Sequence, residues 1–372
     1  MARIAFLLPN LKGGGAERVA LTLMQAFIDR GHEIDLVLMN ASGELLAHLP
    51  SEVRVFDLKA RRVRNLLRPL ITYLRARRPD ALQARMWPVT VMAIVARILS
   101  RSSTRIVVSD HSCLSEAFRH SRVASASLRL TVRTFYPFAA ARIAVSTGVA
   151  DDLARLSGLD PASWHVIHNP VPSILAPSGY AAEDDPDVWP TDMARILTVG
   201  SLRRPKNHAL LLRAFADLLR VRPAHLLILG EGALRPDLER LAAELDISNH
   251  VSLPGYQTDP TPYYRSADLF VLSSDFEGFG NVLVEALQAG LPIVSTDCPT
   301  GPTEILDKGR YGKLVPCNDA RALAEAVVAA LDETVDAAAQ RCRAIEISGH
   351  HVVEDYLALL LPQQKVSRAT FD

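Results

Sequence analysis

Cysteine is scarce in this 372-residue chain and follows no pattern: Cys113, Cys298, Cys317 and Cys342 stand far apart, without paired metal-ligand spacing. That excludes a zinc ribbon or a disulfide scaffold, and reduced thiols in a cytoplasmic setting are expected. Long apolar runs are missing too. The run VTVMAIVARIL is broken by Arg97 and is too short to span a bilayer, so no integral membrane protein is expected. The opening MARIAFLLPN is interrupted too soon for a secretory signal and reads as a first strand. Net charge is absent, with 41 basic against 41 acidic residues. Yet residues 1–172 hold 23 basic against 13 acidic residues, and the remainder 18 against 28. Opposite balances of +10 and −10 point to two domains, which the length also allows.

What is present alternates. RIAFLLP reads as a strand, GGGAERVALTLMQAFIDRG as a glycine-opened amphipathic helix, and HEIDLVLMN as a strand again; RIVVSD and ARIAVS follow. The second half repeats the pattern through RILTVGS, KNHALLLRAFADLLRV, AHLLILGEG, a helix to Leu245, HVSLPGY, DLFVLSS and LPIVSTD. Such βαβ alternation predicts parallel sheets covered by helices, with ligands at the carboxyl ends of the strands. Between the halves, PVPSILAPSGYAAEDDPDVWP is rich in proline and acid and lacks periodicity, so it reads as a linker. The expected division is an N-terminal domain over 1–172, a linker over 173–193, a second domain over 194–345, and a last helical run over 346–372 that can cross back to the first domain.

Four strand-end loops are site candidates. GGGAER after the first strand permits close backbone approach to a phosphate, or is simply a tight turn. It lacks the dinucleotide fingerprint, which argues against a nicotinamide oxidoreductase. SDHS places Asp110 and His111 after a strand, where a histidine is either structural or catalytic. VGSLRRPKNH sets Arg203, Arg204 and Lys206 where basic side chains suit a diphosphate, or form an exposed basic loop. In FEGFGNVLVEALQAG, Glu277 and Glu285 flank a glycine-rich turn and a helix start, where amides and the helix dipole favour phosphate or sugar oxygens. The plain alternative is a loop charge and a solvated helix glutamate.

Together these pieces resemble the retaining family 4 glycosyltransferases of the GT-B fold, two doubly wound Rossmann-like domains facing a central cleft. The likeness is carried by GGGAER, SDHS, HNPV at 168–171, VGSLRRPKNHALLLRAF, LILGEG, the glutamates around GFGNVLV, TDCPTGPTEIL and YGKLVP. It implies that Glu277 binds donor-sugar hydroxyls, that the amides of Gly278, Phe279, Gly280 and Asn281 contact the sugar and its phosphate, and that Glu285 binds the ribose. Lys206 would neutralise the departing diphosphate, and Gly14 and Gly15 would close over the phosphates. His111 would stand near the acceptor and the anomeric carbon, and the Gly255–Tyr256 loop would border the nucleobase. Members carry arginine where this chain has Ser201; Arg203 could substitute from two residues on.

The family's chemistry needs lysine, loop amides and a helix N-terminus for the leaving charge. No metal cofactor is expected, since the acidic run at 183–185 falls in the linker. The implied donor is a nucleotide sugar, with UDP-sugars favoured. The implied acceptor is a saccharide or lipid-linked glycan in bacterial surface polysaccharide synthesis. A GT-B epimerase or phosphorylase is the alternative. From Lys59 to Arg78 run eight basic residues and no acidic one, interleaved with Leu66, Leu67, Leu70, Ile71 and Leu74 at helical spacing. This pattern predicts peripheral attachment to an anionic membrane surface, the inner face of the cytoplasmic membrane. The plain alternative is a helix whose leucines pack on the sheet. Nucleic acid is not expected, because few aromatics accompany the charge.

Overall fold

A computed structural model of the chain describes residues 1–174 and 189–362. It forms two compact units: Met1–Pro170 joined by the chain from Ser348, and Val171–Ile347. Most of the proline-rich stretch read as a linker, residues 175–188 with the acidic run at 183–185, lies outside the described residues. At its described ends, the Ile174 amide donates to Gln288 Oε1 at 3.0 Å and the Trp189 indole to Ser266 Oγ at 2.8 Å.

The first unit is a parallel sheet of β1 (Arg3–Leu8), β2 (Glu33–Leu38), β3 (Arg54–Asp57), β4 (Ala81–Arg85), β5 (Arg105–Asp110), β6 (Ala141–Ala144) and β7 (His165–Val166). Their order is β3-β2-β1-β4-β5-β6-β7. The winding therefore reverses at β1, and the glycine loop of GGGAER leaves the sheet at that switch point, where doubly wound sheets bind ligands. Phe6, Phe27 and Leu36 anchor the core, joined by Val352, Val353, Tyr356, Leu357 and Leu360 of the helix His351–Leu360. The last helix among the described residues thus completes the first unit.

The second unit repeats the scheme with β8 (Ala194–Val199), β9 (Ala224–Leu229), β10 (Val251–Gly255), β11 (Leu269–Leu272), β12 (Ile293–Thr296) and β13 (Lys313–Val315). The order β10-β9-β8-β11-β12-β13 reverses at β8. Its outgoing loop carries Ser201, Arg203 and Lys206, and the neighbouring β11 leads into the loop with Glu277. Gly230 shows why LILGEG needs its glycine: φ is +146° and an added Cβ would stand 2.0 Å from Gly200 O. Any side chain there would push the phosphate-site candidate off the sheet edge.

The basic stretch 59–78 divides between core and surface. Its helix, Leu67–Arg77, is amphipathic, but Leu66, Leu70, Tyr73 and Leu74 are buried in the unit and not offered outward. Arg77 is also committed inward, paired at 3.2 Å with the buried Asp35, which accepts the Tyr73 hydroxyl at 2.8 Å. Leu66, Leu70 and Leu74 therefore pack on the fold, Leu67 and Ile71 are half-buried, and Arg61, Arg62, Arg64, Arg68, Arg75 and Arg78 remain exposed.

Candidate active site

Because β8 and β11 are neighbours in the sheet, the loops that leave them run side by side. The Asp275 amide donates to Pro205 O at 2.8 Å, and Ser273 Oγ to Lys206 O at 3.0 Å. Asn207, in the left-handed region at φ +43°, caps the helix His208–Leu218 by accepting from the Leu210 amide. Its amide group also donates to Asp275 at 2.7 Å.

These ties bring together two residues 71 positions apart: Lys206 Nζ lies 2.6 Å from Glu277 Oε1. Ser274 Oγ donates to the same oxygen at 2.6 Å. Both bonds fall on Oε1. The Glu277 side chain is 10% exposed and that of Lys206 21%, so the pair sits at the edge of the fold with some solvent access. A lysine ammonium has three donors; one is committed to Glu277. Beside the pair, burial first and the Lys206 charge second push His208 down to about 4, which keeps it neutral.

The EGFG turn is braced from behind by the TDCPTGPTEIL loop. The Glu277 amide donates to Pro299 O at 3.3 Å, and Thr300 Oγ1 donates to Glu277 O. Gly301 has φ +93°, and a Cβ there would meet Phe279 O at 2.0 Å; only glycine lets the two loops approach so closely. Gly280, at φ +104°, opens the helix Asn281–Ala289, whose half-buried Glu285 accepts the Tyr264 hydroxyl at 2.7 Å. The Gly255 carbonyl accepts from the Gly230 amide at 2.9 Å, which sets the Gly255–Tyr256 turn beside the loop after β9. Arg203 is exposed next to the exposed Ser201.

In the first unit, Gly14 and Gly15 are exposed at the start of the helix Gly15–Ile28. His111 follows β5, with Nε2 2.9 Å from Ser109 Oγ. Burial, and next the Arg85 charge, hold its pKa well below the usual histidine value, so the ring is neutral. Arg85 itself is fully buried and donates from Nη1 to Ala16 O at 2.7 Å. It thereby holds the first turn after the glycine loop. Asp110, also buried, accepts the Tyr136 hydroxyl at 2.6 Å and the Trp87 amide at 3.2 Å. Burial outweighs these bonds and pushes its carboxyl up to about 6.

Sequence reasoning singled out Lys206, Glu277, Glu285 and the glycines, but not Ser274, Tyr264, Asn207 or Arg85. Asn207 and Ser274 stood within the quoted motifs, where the helix cap was the one readable signal. The partners of Tyr264 and Arg85 lie 21 and 69 positions away, a separation that no local pattern records.

Comparison with known proteins agrees with this architecture. The family model described as Glycosyltransferase Family 4 matches residues 13–173, and that described as Glycosyl transferases group 1 matches residues 194–333. The chain is 29% identical over 351 residues to the Campylobacter jejuni N-acetylgalactosamine-N,N'-diacetylbacillosaminyl-diphospho-undecaprenol 4-alpha-N-acetylgalactosaminyltransferase, covering 90% of this chain and 91% of that enzyme. It is 26% identical over 313 residues to the amylovoran biosynthesis glycosyltransferase AmsD of Erwinia amylovora, covering 84% and 85% of the two chains. Among solved structures, Anabaena HepE in complex with UDP and glucose superposes with a TM-score of 0.81 at 20% identity, over 98% of this chain and 100% of that one. With both units matched by family models and the doubly wound pair of sheets in place, the chain belongs to the family 4 glycosyltransferases of the GT-B fold.

Proposed function

We propose that the protein transfers a sugar from a nucleotide sugar, with UDP-sugars favoured, to a saccharide or lipid-linked glycan of a bacterial surface polysaccharide. The transfer retains anomeric configuration and needs no metal. The observation that carries this reading is the meeting of Lys206 and Ser274 on one oxygen of Glu277. It sets a cation and a carboxylate at the switch point of the sheet, beside the start of the helix Asn281–Ala289.

In this reading the bond between the anomeric carbon and the diphosphate breaks while the acceptor oxygen bonds to that carbon on the same face. The acceptor proton passes to the departing phosphate oxygen. Glu277 orients the donor sugar. The remaining N–H groups of Lys206 and the amides of Gly278, Phe279, Gly280 and Asn281 stabilise the leaving charge, as preorganised donors do most effectively. Glu285 reads the ribose, Gly255 and Tyr256 border the base, and Gly14 and Gly15 meet the phosphates. Arg203 supplies a second cation in place of the arginine missing at Ser201. Neutral His111 stands by the acceptor.

Attachment to the inner face of an anionic membrane belongs to the same reading, with docking led by the exposed arginines of the basic stretch, since Leu66, Leu70 and Leu74 are buried. Further support lies in the neighbouring helices. Leu67–Arg77, Val89–Ser100 and Arg122–Phe135 pack in sequence against one another and contain no acidic residue. The third exposes Val123 and Leu130 at 82% and 69%. The Campylobacter relative is named for an undecaprenol-linked substrate, which fits an enzyme that works at a membrane. No helix among the described residues is long and apolar enough to cross one.

The test is incubation with a panel of UDP- and GDP-sugars and a polyprenyl-diphosphate-linked saccharide in EDTA, followed by mass spectrometry and by NMR of the new anomeric proton. A product one sugar heavier with the donor's configuration is expected. An epimerised donor, or a sugar phosphate without transfer, would overturn the reading.

A further inference from the structure

We propose that Tyr264 is a positioning residue for donor recognition, its phenol holding the Glu285 carboxylate in the orientation that reads the nucleotide ribose. This rests on the assignment of Glu285 made above.

Tyr264 lies in the short helix Thr261–Ser266, between β10 and β11. Its ring is fully buried and stacked on Phe270 of β11, with centroids 5.6 Å apart. Phe270 is itself paired with Leu197 of β8 on one side and Ile293 of β12 on the other. The ring therefore has no freedom, and the sheet core fixes the place of the hydroxyl. From there it donates to Glu285 Oε2 at 2.7 Å and lies 3.3 Å from Val282 O, one turn earlier on the same helix.

Glu285 is only half-buried, and its carboxylate ends a side chain with three rotatable bonds. Ordering such a chain costs rotamer entropy. A bond from an immobile phenol meets that cost before any ligand arrives, so the carboxylate is preorganised. A glutamate that merely solvated a helix surface would have no use for a buried donor. Tyr264 itself touches no ligand group in this account; it acts through Glu285.

The experiment is equilibrium titration of UDP and 2′,3′-dideoxy-UDP, with GDP and its dideoxy analogue in parallel, against wild type, Tyr264→Phe, Glu285→Gln and the double variant. Wild type should prefer the intact ribose, and Glu285→Gln should lose most of that preference. Tyr264→Phe keeps the stacked ring and should cut the preference by about threefold to tenfold, the net scale of one ordinary hydrogen bond, because the phenol acts on the ribose only through Glu285. It should leave dideoxy affinity unchanged and add nothing in the Glu285→Gln background. Equal weakening of both ribose forms, or an unchanged preference in Tyr264→Phe, would overturn the proposal while leaving Glu285 in place. Full preference retained in Glu285→Gln would instead overturn the ribose assignment itself, and this proposal with it. Should Tyr264→Phe fail to fold, Tyr264→Met gives the second arm, since methionine fills the buried space without a hydroxyl and leaves Glu285 intact. Preference lost there supports the proposal, and preference kept overturns it.

Discussion

The two units spend their polar groups in opposite ways. In the second, site side chains bind one another: Lys206 and Ser274 meet on Glu277, and Tyr264 holds Glu285. In the first, the exposed Gly14 and Gly15 offer only backbone, while the charged groups Arg85 and Asp110 are buried. The second unit presents a preassembled set of charges, while the first presents a glycine turn braced from within, with the Glu17 carboxylate lying against Gly14. A departing diphosphate needs fixed charge, which must be organised before the reaction because reorganisation costs energy. Backbone amides need only be held in place, and the bond from Arg85 to Ala16 O does that.

The sharpest way to break this contrast is at Glu277. Glu277→Gln keeps the shape but loses the charge that Lys206 and Ser274 both address. Turnover should fall by about tenfold to a thousandfold while the nucleoside diphosphate still binds. Steady-state rates beside calorimetric titration check this, and near wild-type turnover would remove Glu277 from the mechanism.

The next largest effect concerns the basic face of the first unit. Replacing Arg61, Arg62 and Arg64 by glutamine should weaken cosedimentation with anionic liposomes by roughly tenfold to a hundredfold. Binding should also weaken as salt rises and vanish with neutral lipid. Equal binding by the variant would show that this charge faces solvent only.

Lys206→Ala sharpens the comparison from the other side. It removes the counter-charge of the diphosphate and leaves Glu277 with Ser274 alone, so affinity for UDP and turnover should both drop by about tenfold. Arg203→Ala should cost less, because that side chain is exposed. If titration ranks the two the other way, the phosphate site is built around Arg203.

The smallest effect is one of pH. The Asp110 carboxyl, pushed up to about 6 by burial, favours the folded state when protonated. Its contribution is complete below the unfolded value near 3.9 and is lost as pH rises through about 6. Asp110→Asn removes that dependence. The melting temperature of the variant relative to wild type should therefore climb by a few degrees between pH 4 and pH 7. A flat difference would mean that the carboxyl is ionised throughout.

Most of the architecture was legible because it is written in local periodicity. The runs RIAFLLP, RILTVGS and DLFVLSS became β1, β8 and β11, and the stripe after Asn281 became a helix. β4 was not foreseen, since its strand ALQAR buries Gln83 and Arg85 and polar residues mask a strand's signal. The leucines of 59–78 had the spacing of a surface-binding helix, which is also the spacing of a helix packed on a sheet; only tertiary contact separates the two. At the site, motifs carried the residues proposed to bind a ligand. Those that brace them, Ser274, Tyr264 and Arg85, depend on which loops the sheet order places side by side.

The closing helix has a consequence for how the chain is made. His351–Leu360 supplies part of the first unit's core, packing among the residues that include Phe6 and Phe27, so that unit is discontinuous in sequence. Domains generally fold as units during synthesis, N-terminal first. Here that order is inverted: Val171–Ile347 is complete while the sheet begun at Arg3 still lacks its last helix. The nascent first unit keeps an apolar face uncovered until His351–Leu360 has been made. A fragment ending at Ile347 would keep that face exposed, and the unit Val171–Ile347 can mature before the unit that precedes it in the gene.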